Sequence, residues 1–273
     1  MTGGGPPLEV WLIDLRRCAP ALQKLELTAP RLSDDEIARA RAKGADGASW
    51  RAKRIALRLL LERHAGPQVR QQAFVTGAQG KPQLAWPSDI HFSVSDSGPF
   101  ALLAIARGSA VGVDMEQPRT MRFSDVRRVA LVSAAAGVGQ AGPEHSGFEQ
   151  PGLGQSGLWP SGIAGDPQDD ATVLQAWVRL EAWAKARGTG IGALLTDLGI
   201  WGAAYVRGSG GPPGVRAMKA AQQDGIQVLD LELPHNLQGA VACALPYAPV
   251  RVREFPDDME DLGALAGPQL SSG

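Results

Sequence analysis

Val111-Gly112-Val113-Asp114-Met115-Glu116 is the stretch on which the reading of the fold turns. It predicts a short apolar strand, and side chains alternate between the two faces of a strand, so Asp114 and Glu116 share a side. Downstream, Trp177-Val178-Arg179-Leu180-Glu181-Ala182-Trp183-Ala184-Lys185 predicts a helix. Positions i, i+4 and i+8 lie on one helical face, so Trp177, Glu181 and Lys185 form a stripe. Three carboxylates and an ammonium gathered this way could hold a hard divalent cation against a polyphosphate. Carboxylate oxygens suit Mg²⁺, which usually shares its shell with substrate phosphates.

Outward from these segments the chain reads as alternating strands and helices. A strand is expected over 8–15, after a Gly/Pro-rich start. Ser33-Asp34-Asp35-Glu36 opens a helix with a serine cap and acids in its first turn. A long helix is expected over 48–63, with Ile55, Leu59 and Leu60 in its core face and Gly66-Pro67 as its stop. Gly80-Lys81-Pro82 is turn chemistry, followed by strands over 91–95 and 101–106 with a Ser-Asp-Ser-Gly turn between them. Residues 133–170 hold nine Gly, four Pro and no Lys or Arg, which predicts a loop or insertion without fixed structure. Closing strands are expected over 227–233 and 240–245, and an acidic tail without fixed structure over 256–273. Strand, turn and apolar strand thus close each half, a faint internal echo.

With 273 residues, 44% apolar, and a net charge of −1, the chain can bury the core of one large domain or two small ones. Nothing in this balance points to nucleic acid. Cys18 and Cys243 lie far apart with no CxxC spacing, which argues against a metal cluster or disulfide framework. The first residues lack the basic and apolar segments of a secretory signal. No apolar run approaches the roughly 20 residues of a membrane helix. The expectation is a cytoplasmic protein that engages no membrane.

Taken singly, the motifs have bland readings. Acids at a strand end are usually solvated, and Glu to Lys at i, i+4 is a common surface pair on helices. Their joint order with the Gly-Lys-Pro and Phe-Ser-x-Ser-x-Ser-Gly segments is more specific. Between Arg39 and Arg63 stand eight basic residues (Arg39, Arg41, Lys43, Arg51, Lys53, Arg54, Arg58, Arg63) against only Asp46 and Glu62. That run is either a solvated helix face or a landing site for a phosphorylated ligand or an acidic protein. Arg54 is the best phosphate candidate, since guanidinium matches phosphate oxygens as a bidentate fork. Gly188-Thr189-Gly190-Ile191-Gly192-Ala193 fits GxGxxA but follows a helix, so it reads as a helix C-terminal turn. The histidines are scattered without a nucleophile motif, and hydrolase chemistry has no support.

The ordered set Gly80-Lys81-Pro82, His91 to Gly98, Val111 to Glu116, and Trp177 to Lys185 with the following Gly-x-Gly resembles the 4′-phosphopantetheinyl transferase superfamily. The resemblance is to the kind whose single chain folds as two pseudo-symmetric α/β halves, and it runs over 8–245 without the Gly-rich insertion. It implies an α+β fold: an N-terminal subdomain over 1–109, a C-terminal subdomain over 110–250 carrying the insertion at 133–170, and the tail at 251–273. The implied reaction is Mg²⁺-dependent transfer of the 4′-phosphopantetheine of coenzyme A to a serine of an acyl or peptidyl carrier protein, releasing 3′,5′-ADP. Carried over by position, Asp114, Glu116 and Glu181 would hold Mg²⁺ on the pyrophosphate, with Glu181 also a candidate base for the serine. Lys185 would bind the pyrophosphate as charge builds on the leaving bridge oxygen. Arg54, the Gly80-Lys81-Pro82 turn, and Ser95 with Asp96 would bind the nucleotide phosphates, with Arg39 in addition. Two halves in one chain could complete the site in a monomer.

Two positions depart from the family. Asp96 stands where relatives usually carry a histidine that contacts the coenzyme phosphates, and Leu180 where they usually carry a lysine. At 4 Å and an effective dielectric of 20, unit charges interact by about 4 kcal/mol, so an unpaired Asp facing phosphate would be a serious penalty. Asp96 must point away, pair with a nearby Arg or Lys, or engage the metal or its waters, and Arg179, on the helix beside Leu180, could supply compensating charge. The stretch after Glu116 also lacks the Phe-Phe-Ser-x-x-Glu pattern of many relatives. The alternatives to an active transferase are a catalytically inactive coenzyme A or carrier-protein binding module, and an unrelated α/β interaction protein.

Overall fold

Strand β1 (Glu9–Asp14) ends on the residue that starts the next helix. Asp14 Oδ1 accepts from the amides of Arg16 and Arg17 at 2.9 and 3.3 Å and so caps α1 (Leu15–Thr28). The computed structural model describes residues 8–77, 80–138, 165–202, 211–244 and 250–266. They form a mixed α and β structure divided between two units, Met1–Ser109 with Pro249–Gly273, and Ala110–Ala248.

In the first unit, α2 (Asp34–Ala42) starts with the expected Ser33 cap. Glu36 completes a capping box, because its Oε2 accepts the Ser33 amide at 3.1 Å. Helix α3 (Gly47–Ala65) follows, with Ile55, Leu59 and Leu60 fully buried. A small hairpin, β2 (Val75–Thr76) with β3 (Pro82–Gln83), precedes β4 (Ile90–Ser97) and β5 (Phe100–Arg107). Strand β1 pairs antiparallel with β5, and β5 with β4. One face of this sheet packs Ala101, Leu103 and Ile105 into a core shared with Leu22, Ile55 and Leu59.

The second unit opens with β6 (Val111–Glu116), then α4 (Asp125–Val138), α5 (Asp170–Arg187), α6 (Ile191–Asp197) and α7 (Pro213–Asp224). It closes with β7 (Gln227–Leu231) and β8 (Gln238–Cys243). Strand β6 pairs antiparallel with β8, and β8 with β7. The connection order repeats that of the first unit: an opening strand pairs with the last strand of a closing hairpin, and a long helix, α3 or α5, lies between them in sequence. Leu180, Trp183, Ala240 and Ala242 sit together in this unit's core.

Three sequence expectations need correction. Residues 133–138, assigned to the Gly-rich loop, are the end of α4, and Asp170 begins α5. Gly137 belongs to that helix because α7 crosses it closely: a Cβ there would stand 2.3 Å from the Gly214 carbonyl oxygen. The rest of the insertion, 139–164, lies outside the described residues. Ser95 and Ser97 belong to β4, and the turn is Gly98-Pro99, closed by the pairing of Ser97 with Phe100.

The third correction concerns the acidic tail. Strand β9 (Val252–Glu254) pairs in parallel with β1, and α8 (Met259–Ala266) follows it. Phe255 meets Trp11 edge-on at 6.2 Å, and Leu262 and Leu265 enter the first unit's core. These apolar residues, spaced among the acids, supply burial that net charge conceals. Residues 267–273 lie outside the described residues. A tail without fixed structure would tolerate Leu262→Ala, whereas removal of this fully buried side chain is expected to cost about 2–5 kcal/mol. Urea denaturation of the full chain measures the difference.

Candidate active site

Helix α5 lies directly against β6 at Gly112. A Cβ on Gly112 would stand 2.0 Å from the Ala182 carbonyl oxygen and 2.4 Å from the Ala186 amide nitrogen, so only glycine admits the helix backbone this close. Asp114 lies two residues along the same strand face. On the same sheet face, β8 sets Ala242 beside Gly112 and Ala240 beside Asp114, small residues that pack in the core with α5. Asp169 caps the start of α5, accepting the Thr172 amide at 3.1 Å, and Gly188 ends it in the left-handed conformation at φ 70°.

This packing brings Asp114, Glu181 and Lys185 together. Lys185 Nζ donates to Asp114 Oδ1 at 2.7 Å and stands 3.7 Å from Glu181 Oε1. Asp114 is buried, while Glu181 and Lys185 are each about one quarter exposed. A buried carboxylate beside a reachable carboxylate and ammonium makes a polar site rooted in the sheet. Glu116 extends from the end of β6, where Arg119 Nη2 lies 3.1 Å from its Oε1. Trp177, the third member of the stripe, stacks on Phe123 with ring centres 5.8 Å apart.

Among the described residues, no three of His, Cys, Asp and Glu converge closely enough to form a metal-holding group. The ammonium of Lys185 occupies the point on which Asp114 and Glu181 converge. Donor chemistry nevertheless fits Mg²⁺, which is ordinarily held by one or two carboxylates with water and phosphate oxygens completing its shell. Asp114 and Glu181 are the carboxylates that could supply that pair, with Glu116 on the same strand face.

The two departures from the family pattern have structural accounts. Leu180 is fully buried in the core of the second unit, where a lysine ammonium would lack water. Arg179 is engaged by Asp230, with Nε donating to Oδ1 at 2.6 Å. Asp96 is half exposed and pairs with Lys53 of α3.

In the first unit the basic run is not a uniform patch. Arg58 is fully buried, with Nε 2.5 Å from Glu36 Oε2 and two further donations to the carbonyls of Val69 and Gln72. Arg63 lies 3.8 Å from the buried Glu9. Arg54 donates Nε to Glu36 Oε1 at 2.7 Å and lies over the rings of Trp50 and Phe74 at 5.6 and 5.0 Å. Arg39, Arg41 and Lys43 are exposed. Gly80 takes φ 83° in the turn joining β2 to β3, Lys81 follows it, and Pro82 begins β3. Ser95 is buried on β4. Burial and the nearby Lys81 charge push the His91 imidazole below its usual range.

Lys53, Glu36 and Gly112 were not singled out as site residues by sequence. Glu36 reads only as a capping residue, and its grip on Arg54 is non-local. Gly112 was legible: a glycine two positions before a same-face acid signals close helix approach. Gly112→Ala is expected to destabilise by about 1–3 kcal/mol or more through overpacking. Gly192→Ala, inside α6 and facing open space, is the control and should not lower the thermal midpoint.

No protein-family model matches the chain. The chain is similar to a protein of Synechocystis sp. named "Putative 4'-phosphopantetheinyl transferase", with 31% identity over 121 residues. The match covers 41% of this chain and 45% of that protein, so the chain spans less than half of that relative's length.

Proposed function

We propose that this chain is a 4′-phosphopantetheinyl transferase. It takes the phosphopantetheine arm of coenzyme A to a serine hydroxyl of an acyl or peptidyl carrier protein and releases 3′,5′-ADP. The observation that carries this reading is the convergence of Asp114 and Glu181 on the Lys185 ammonium. The name of the Synechocystis relative supports the same kind of reaction.

Asp114, Glu181 and Glu116 would hold Mg²⁺, which when bound neutralises pyrophosphate oxygens and helps to align them. Glu181 accepts the proton of the acceptor serine as its oxygen forms a bond to the β-phosphorus. The bond from that phosphorus to the bridging oxygen breaks, and the bridging oxygen leaves with 3′,5′-ADP. Lys185 meets the charge that grows on the bridging oxygen, the electrostatic contribution such transfers depend on. Arg54, Lys81, Ser95 and the adjoining turns bind the nucleotide phosphates, with Arg39 at the exposed margin. The working unit is a cytoplasmic monomer whose partners are carrier proteins, with no nucleic acid or membrane.

Intact-mass measurement of apo carrier proteins incubated with the protein, coenzyme A and Mg²⁺ tests this. The expected result is a mass gain of one phosphopantetheine that EDTA abolishes. Asp114→Ala and Glu181→Gln are expected to lower the rate by at least about a hundredfold while the thermal midpoint stays close to that of the parent. Coenzyme A binding without mass gain on any carrier would move the chain to the binding-module reading. Near-parental turnover in either variant would remove the metal assignment.

A further inference from the structure

Lys53 and Asp96 lie 43 residues apart, on α3 and on β4, and Lys53 Nζ donates to Asp96 Oδ1. Their exposures are the reverse of the usual order. The lysine side chain is 12% exposed and the carboxylate 51%. A lysine ordinarily extends its ammonium to water; here the ammonium is drawn in beneath an exposed acid. The next residue on α3 is Arg54, itself held by Glu36, and the residue before Asp96 is the buried Ser95. The contact therefore joins the helix bearing the phosphate-candidate arginine to the strand end bearing the phosphate-candidate serine.

We infer that Lys53 and Asp96 act as one anion-binding unit, with Asp96 holding the ammonium at the phosphate site and Lys53 cancelling the repulsion Asp96 would exert there. This rests on the reading above that Arg54 and Ser95 take the nucleotide phosphates. An ion pair that merely joined α3 to β4 would lose stability when either partner was removed, and both losses would affect anion binding in the same direction. A unit facing an anion behaves differently. Without Lys53, an uncompensated carboxylate repels the ligand. Without the Asp96 charge, an unneutralised ammonium attracts it. The two single variants then shift anion affinity in opposite directions, and the double variant falls between them.

Titration calorimetry with 3′,5′-ADP, at low salt and without added metal, reads these directions independently of turnover. Lys53→Met is expected to weaken binding about tenfold, in the range for a hydrogen bond to a charged group. Asp96→Asn should tighten it severalfold, and the double variant should return to within about threefold of the parent. Lys53→Arg, which keeps the charge, should bind as the parent does, and melting curves identify any variant that has lost its fold. Unchanged affinity in Lys53→Met, equal weakening in both single variants, or a Lys53→Arg variant that is folded but as weak as Lys53→Met would overturn the inference. A parent protein that does not bind 3′,5′-ADP would overturn the phosphate reading of this face, and the inference with it.

Discussion

The backbone of α5 rests on β6 at Gly112, and the candidate site in the second unit depends on that contact. The helix axis is brought close enough that Lys185 reaches a carboxylate rooted in the sheet. With a side chain at position 112 the helix would stand off, and Asp114 would be a buried acid without this ammonium. Such a charge is costly to bury, because the interior replaces water poorly as a solvent for ions. The glycine, the buried aspartate and the lysine are therefore one arrangement. Capping at both ends of α5, by Asp169 and Gly188, sets where along the helix Glu181 and Lys185 fall.

The two units repeat one connection order but carry opposite chemistry on the corresponding long helices. On α5, a lysine sits among carboxylates from its own helix and from β6. On α3, two successive cations, Lys53 and Arg54, are each held by a carboxylate from a different element, Asp96 of β4 and Glu36 of α2. One unit thus gathers oxygen donors suited to a hard cation, and the other gathers nitrogen donors suited to phosphate. The divergence of these two helices is informative where composition, with a net charge of −1, is not.

Local chemistry was legible in the sequence, and long-range compensation was not. The Ser33 cap, the core face of α3, the strand carrying Asp114 and the stripe on α5 all follow from neighbours within a few residues. Helix α1 was hidden by Pro20, which lies inside it and ordinarily marks a helix end. Helix α4 was hidden where its small residues run into the Gly-rich stretch, because the close crossing by α7 that favours Gly137 is a tertiary fact. The order of the tail is concealed in its composition, because three buried apolar residues count for more than the acids around them. The partner of Asp96 could not be assigned, since the pair spans 43 residues and two elements.

Glu36 shows how far a basic run can mislead when charge is counted without geometry. Its carboxylate takes a helix-capping amide and two guanidinium groups at once. Arg58 is consumed by this role, since its remaining donors meet the carbonyls of Val69 and Gln72 and its side chain is fully enclosed. Arg54 shares the same acid but keeps part of its side chain at the surface, with Trp50 and Phe74 beside it. An arginine held by Nε and bordered by rings has lost most of its conformational freedom, so less entropy remains to be lost when an anion binds. Of the eight cations between Arg39 and Arg63, burial and pairing thus make Arg54 the one best prepared for a phosphate. Arg39, Arg41 and Lys43 are exposed on α2 and just beyond its end, where water and salt screen their charge.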